Sequence, residues 1–141
     1  MSDLIPIDYA DSVLIIDDNA AEASLIALAL RNQGHESTLC LNIEEAVQHL
    51  ARTEPRIAFL DFLLAGENPA DFVRQAKKRY PNMPIVLMTS APNADERAAS
   101  IGLAFYLQKP FDLQAFSTVV ERCLARRGQL QAISAGQENG T

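Results

Sequence analysis

The chain has 141 residues, 48% hydrophobic and 21% charged, which is one domain's worth of ordinary globular composition and argues against global disorder. Its longest apolar runs, such as PIVLM at 84–88, are far too short to span a bilayer, and the opening MSDLIPIDYADS shows no secretory signal. The net charge of −6 is uneven: Asp3, Asp8, Asp11, Asp17, Asp18 and Glu22 all precede Arg31, the first basic residue, a pole that suits a cation and disfavours nucleic acid. Cys40 and Cys123 lie far apart without metal-ligand spacing, as expected of reduced core thiols in a cytoplasmic protein.

Residues 1–11 read as an N-terminal extension. The first predicted strand is SVLIID (12–17), apolar until its last residue. AAEASLIALALRNQG then has helical periodicity, placing Ala21, Leu25, Leu28 and Ala29 on one face and stopping at Gly34. STLCL (37–41) is the second strand, followed by a helix that Asn42 caps with Glu45 at its third position. RIAFLD (56–61) is the third strand, and PADFVRQAKKRYP is a helix bounded by Pro69 and Pro81. PIVLMT (84–89) and AFYLQ (104–108) flank the short helical stretch NADERAASIG. The last helix opens on Asp112 with an apolar stripe through Phe116, Val119, Val120 and Leu124, and a frayed tail is expected over 128–141. Five strands alternating with five helices specify an α/β fold, a doubly wound (βα)5 unit with a five-stranded parallel sheet covered on both faces.

Ligands of such sheets bind outside the carboxyl ends of the strands. At those ends stand Asp17 and Asp18, then Asp61, then Thr89 and Ser90, then Lys109 and Pro110. Adjacent carboxylates repel unless a positive charge lies between them, so the Asp17–Asp18 pair reads as half of a hard-cation site completed by Asp61. Mg²⁺ takes oxygen ligands and often shares its shell with a phosphate. Taken singly, each residue has a plainer reading: a helix cap, a strand-end acid, a strand threonine, a surface lysine. Their convergence on one sheet edge outweighs those readings.

The stretches IIDDN, IAFLDFLL, PIVLMTSA and FYLQKPF occur in the order and near the spacings found in the receiver domain of two-component response regulators, which residues 12–127 resemble. The resemblance implies the flavodoxin-like strand order 2-1-3-4-5. It implies that Asp61 accepts a phosphoryl group from a histidine kinase or histidine phosphotransfer protein. Asp17, Asp18, Asp61 and the backbone carbonyl of Leu63 would hold Mg²⁺, and Thr89 and Lys109 would contact the phosphoryl oxygens. Tyr106 would be an aromatic switch coupled to Thr89, and the Lys109–Pro110 peptide would be cis. Such a protein signals rather than turning over a substrate, its only chemistry being Mg²⁺-dependent self-phosphorylation and self-dephosphorylation.

No output domain is visible, so the signal is expected to leave by contact with a downstream protein. The face of helix 4, strand 5 and helix 5, including Arg97, Tyr106 and Arg122, is a candidate for that contact or for a homodimer. The sequence departs from the family after the acceptor: Ala65 stands where proline is common, and Pro69 near the usual glycine, so this loop is expected to follow its own path with Gly66 supplying a left-handed turn. An aspartate-dependent phosphatase would need a second acid where Leu63 stands, and a flavodoxin-like cofactor site would need a phosphate-cradling loop where DDNAAE stands. The remaining alternative is a degenerate receiver acting as an interaction module without phosphorylation.

Overall fold

The computed structural model describes residues 12–139, with side chains through residue 130. The N-terminal extension therefore lies outside the described residues. The elements run β1 (Val13–Ile16), α1 (Ala20–Asn32), β2 (Ser37–Cys40), α2 (Ile43–Leu50), β3 (Ile57–Asp61), α3 (Pro69–Arg79), β4 (Ile85–Thr89), α4 (Ala94–Ser100), β5 (Phe105–Gln108) and α5 (Leu113–Asn139). All four pairings are parallel, and the order is β2-β1-β3-β4-β5.

The three central strands are buried along their whole length, which is why their sequences read as unbroken apolar runs. Alternate residues nevertheless feed two separate cores, as the pleat requires. Leu14, Ile16, Leu60 and Leu87 pack with Leu50, Phe72 and Ala76 on the face covered by α2 and α3. Val13, Ile15, Phe59 and Met88 pack with Ile26, Leu30, Phe116 and Val120 on the face covered by α1 and α5. The rings of Phe59 and Phe116 stack at 5.3 Å between sheet and helix. Cys40 and Cys123 are buried free thiols, and burial pushes them up to about 11 and about 12, which keeps them protonated.

The helix ends follow local chemistry. Asn19, Asn42 and Asn68 each accept a backbone N–H of the first turn that they cap. Glu45 completes a variant box by accepting the N–H of Leu41 rather than of Asn42. Gly34, at φ +88°, ends α1 in a Schellman arrangement: its N–H bonds Arg31 O, and that of His35 bonds Leu30 O.

Two expectations are corrected. The buried face of α1 is Ala23, Ile26 and Leu30, while Leu25 and Leu28 are exposed. This helix is apolar on almost every side, so periodicity did not distinguish one stripe from the other; the β-branched and long side chains of Ile26 and Leu30 fill the core, and Leu25 is left outside. The backbone of α5 also stays helical to Asn139, beyond the tail boundary expected at 128. The stretch 128–139 contains no proline, and its glutamines and alanines are compatible with a helix despite the glycines at 128 and 136.

The α1 register has a direct check. Ile26→Ala is expected to cost about 2–4 kcal/mol in denaturant unfolding, and Leu25→Ala to stay within about 0.5 kcal/mol. Equal costs would restore the rejected face.

Candidate functional site

Parallel strands of equal register deliver their last residues to one edge. Asp17 directly follows β1, Asp61 ends β3, Thr89 ends β4 and Lys109 directly follows β5. The loops are tied across that edge: the N–H of Phe62 bonds Met88 O at 2.8 Å, and that of Lys109 bonds Thr89 O at 2.7 Å. The Lys109–Pro110 peptide is cis.

Asp17 is fully buried and Asp61 nearly so. Lys109 reaches over them, its Nζ lying 3.1 Å from Asp61 Oδ1 and 2.7 Å from Glu22 Oε2. Carboxylate oxygens of Asp17, Glu22 and Asp61 gather within 4.8 Å of one another, and among the described residues this is the group with the geometry to hold a metal ion. Asp17 Oδ1 accepts the N–H of Asn19, whereas Oδ2 is buried without a hydrogen-bond partner. An orphaned buried carboxylate oxygen is expensive, and a cation is the chemistry that would satisfy it. Burial pushes Asp17 up to about 7; the Asn19 N–H opposes this, and the charge of Asp61 and the close carboxyl–carboxyl approach and charge of Glu22 add to it. For Lys109, burial favours loss of the proton, but its bonds to Glu22 and Asp61 prevail and the ammonium is held above its ordinary range.

Asp18 behaves differently. It is exposed, stands outside the 4.8 Å group, and its Oδ2 accepts the N–H of Ala65 at 3.0 Å. A proline at 65 would have no N–H to give, so the departure noted in the sequence has a structural use: it ties the β3–α3 loop to the acidic pair. Gly66 takes the left-handed turn expected of it, at φ +72°. The N–H of Leu63 lies 3.3 Å from Asp61 Oδ1, while its side chain is 67% exposed.

Thr89 is buried, and its Oγ1 accepts the N–H of Ala91 at 3.0 Å, which leaves the hydroxyl proton to donate elsewhere. Tyr106 is exposed on β5, and its neighbour Gln108 donates to Ala91 O at 2.8 Å, pinning the loop after β4. Arg97 does not stand free on the α4 surface: its guanidinium covers the ring of Phe62 at 5.3 Å and its Nε donates to Pro92 O.

The structure thus brings Asp17, Asp61 and Lys109 together, with Thr89 beside them on the next strand. Glu22 and Gln108 were missed by the sequence reading. Glu22 had a signal, an acid in the first turn of the helix that follows the acidic pair; Gln108 had none beyond preceding Lys109.

Residues 13–121 match the response regulator receiver domain. A DNA-binding transcriptional regulator NtrC of Bradyrhizobium is 34% identical over 119 residues, covering 82% of this chain but only 25% of that protein. The probable transcriptional regulatory protein TcrX of Mycobacterium tuberculosis is 26% identical, over 90% of this chain and 55% of its own length. The chain therefore spans only part of these curated relatives. The crystal structure of the receiver domain of NtrX from Brucella abortus superposes with a TM-score of 0.74 at 28% identity, covering 81% of this chain and 98% of that one. A CheY-like receiver from Methanospirillum hungatei shares the fold at a TM-score of 0.77 and 18% identity. With the same fold and a match across residues 13–121, the chain belongs to the response regulator receiver domain family.

Proposed function

We propose that this receiver is a phosphoacceptor in which Asp61 takes a phosphoryl group from the phosphohistidine of a histidine kinase or histidine phosphotransfer protein. The observation that carries the reading is the contact of Lys109 with Asp61 at 3.1 Å, beside a buried Asp17 oxygen that has no partner. In the transfer an oxygen of Asp61 forms the new bond to phosphorus as the histidine nitrogen leaves, so the side chain becomes an acyl phosphate. Such chemistry needs positioning and charge neutralisation more than covalent machinery.

Asp17 and Asp61 would hold Mg²⁺, with Asp18 contributing through the oxygen not spent on Ala65 and Leu63 through its carbonyl. The residues present fit the ion, since the orphaned Asp17 oxygen calls for a hard cation, and the ion when bound would offset charge on the carboxylates and the incoming phosphate. Lys109 would pair with one phosphoryl oxygen, and Thr89 would donate its hydroxyl proton to another. Thr89 Oγ1 meanwhile accepts the N–H of Ala91, and the Gln108 bond to Ala91 steadies the same loop. Tyr106, outward in this state, would follow Thr89 inward.

Leu25 and Leu113, both exposed, line the groove beside Lys109, and Leu63 is exposed two residues after Asp61. An apolar rim around an acidic floor suits docking of a helical phosphodonor. The α4–β5–α5 face, carrying Tyr106 and Arg122, is the surface through which a downstream protein or a second copy would sense the change. Among the described residues no helix is long and apolar enough to cross a membrane.

The test is Asp61→Asn. The amide is isosteric, it relieves repulsion with Asp17, and Lys109 keeps Glu22, so the fold should persist. Phosphate-affinity gels after incubation with acetyl phosphate should show a shifted band for the parent protein and none for the variant. A shifted band of equal intensity in Asp61→Asn would move the acceptor elsewhere.

The raised proton affinity of Asp17 adds a pH signature. Its folded value is about 7 and its ordinary value is 3.8, so between them the native state binds more protons than the unfolded one. Metal-free stability should therefore fall as pH rises from about 4 to about 7 and level off above. Asp17→Asn should flatten that slope and stabilise the metal-free protein at pH 8 by about 1–3 kcal/mol. Excess Mg²⁺ should also flatten it, because the bound form requires the ionised carboxylate. Denaturant titrations at pH 5, 6.5 and 8 check this; a parent slope of opposite sign contradicts it.

A further inference from the structure

We propose that Glu22 is a positioning residue shared by the two charges of the site: it is a further carboxylate toward the cation, and it occupies Lys109 in competition with the phosphoryl group. The inference rests on the phosphoacceptor reading and adds a residue to it. Glu22 Oε2 is the nearer of the two carboxylate oxygens that Lys109 contacts, 2.7 Å against 3.1 Å for Asp61. The pair is partly shielded, with Lys109 19% and Glu22 28% exposed, so solvent screens it less than a surface pair.

Glu22 arrives there by construction. Asn19 caps α1 through the N–H of Glu22, which fixes the first turn and aims the side chain back at the sheet edge. Its carboxylate joins those of Asp17 and Asp61 within 4.8 Å, a group that does not include Asp18, whose Oδ2 accepts the N–H of Ala65. The buried, unpartnered Asp17 Oδ2 belongs to the same cluster.

Two consequences of opposite sign follow. Removing the charge of Glu22 takes one negative group from the cation pocket, so a divalent ion should bind more weakly. The same change takes a negative group from beside the phosphoryl position and frees a hydrogen-bond donor of Lys109, so a phosphoryl-like anion should bind more tightly once the cation site is full. A residue that merely supported the fold would weaken both, and a cation ligand without the Lys109 role would not tighten the anion.

The experiment compares the parent protein with Glu22→Gln by NMR titration, first with Mg²⁺ alone and then with beryllofluoride at saturating Mg²⁺. Glu22 is partly exposed and the amide is isosteric, so folding is not at risk. The expected result is Mg²⁺ affinity lower by about three- to tenfold and beryllofluoride affinity higher by a similar factor. Affinities that both fall, or both stay unchanged, overturn the role of Glu22 while leaving the phosphoacceptor reading intact. A parent protein that binds neither probe overturns that reading and this inference with it.

Discussion

Two buried carboxylates at one end of a parallel sheet are the constraint around which this molecule is arranged. Asp17 and Asp61 sit where water is excluded, and their repulsion is answered by the ammonium of Lys109. Lys109 contacts Asp61 and not Asp17, and burial together with neighbouring carboxylates raises the proton affinity of Asp17. On the phosphoacceptor reading, such an edge would accept a cation and, with it, a phosphate.

The rest of the structure holds that edge in place. Unbroken apolar strands anchor three of the four contributing loops in two cores, one on each face of the sheet. Short ties then fix the loops: Phe62 to Met88, Lys109 to Thr89, Asp18 to Ala65. The loop after β4 is held by Gln108, by the turn that Thr89 makes with Ala91 and by the bond from Arg97 to Pro92 O. On the phosphoacceptor reading, this loop follows the hydroxyl that would meet the phosphate, so these restraints sit where a signal would begin.

Much of this was legible in the sequence because it is local. Strand runs, the Asn42 cap and the glycine at 34 each declare themselves within a few residues, and the acids, threonine and lysine fall at strand ends where the topology gathers them. What was not legible depends on choices among equals. Nearly every side of α1 is apolar, and only packing decides that Ile26 turns in and Leu25 out. Asp17 and Asp18 are identical in sequence terms, yet one is buried and the other bonds Ala65, a partner 47 residues away. Glu22 looked like one more acid of a charged pole until Lys109 was found against it.

The central claim is that Asp61 accepts phosphate in a cation-assisted site, and intact-mass measurement tests it most directly. The protein is incubated with acetyl phosphate, once with Mg²⁺ and once with the metal chelated, and the whole-chain mass is read in each case. The expected result is a single added phosphoryl group that forms with Mg²⁺ and is lost or greatly diminished without it. No adduct in the presence of Mg²⁺, or an equal adduct when the metal is chelated, would contradict it.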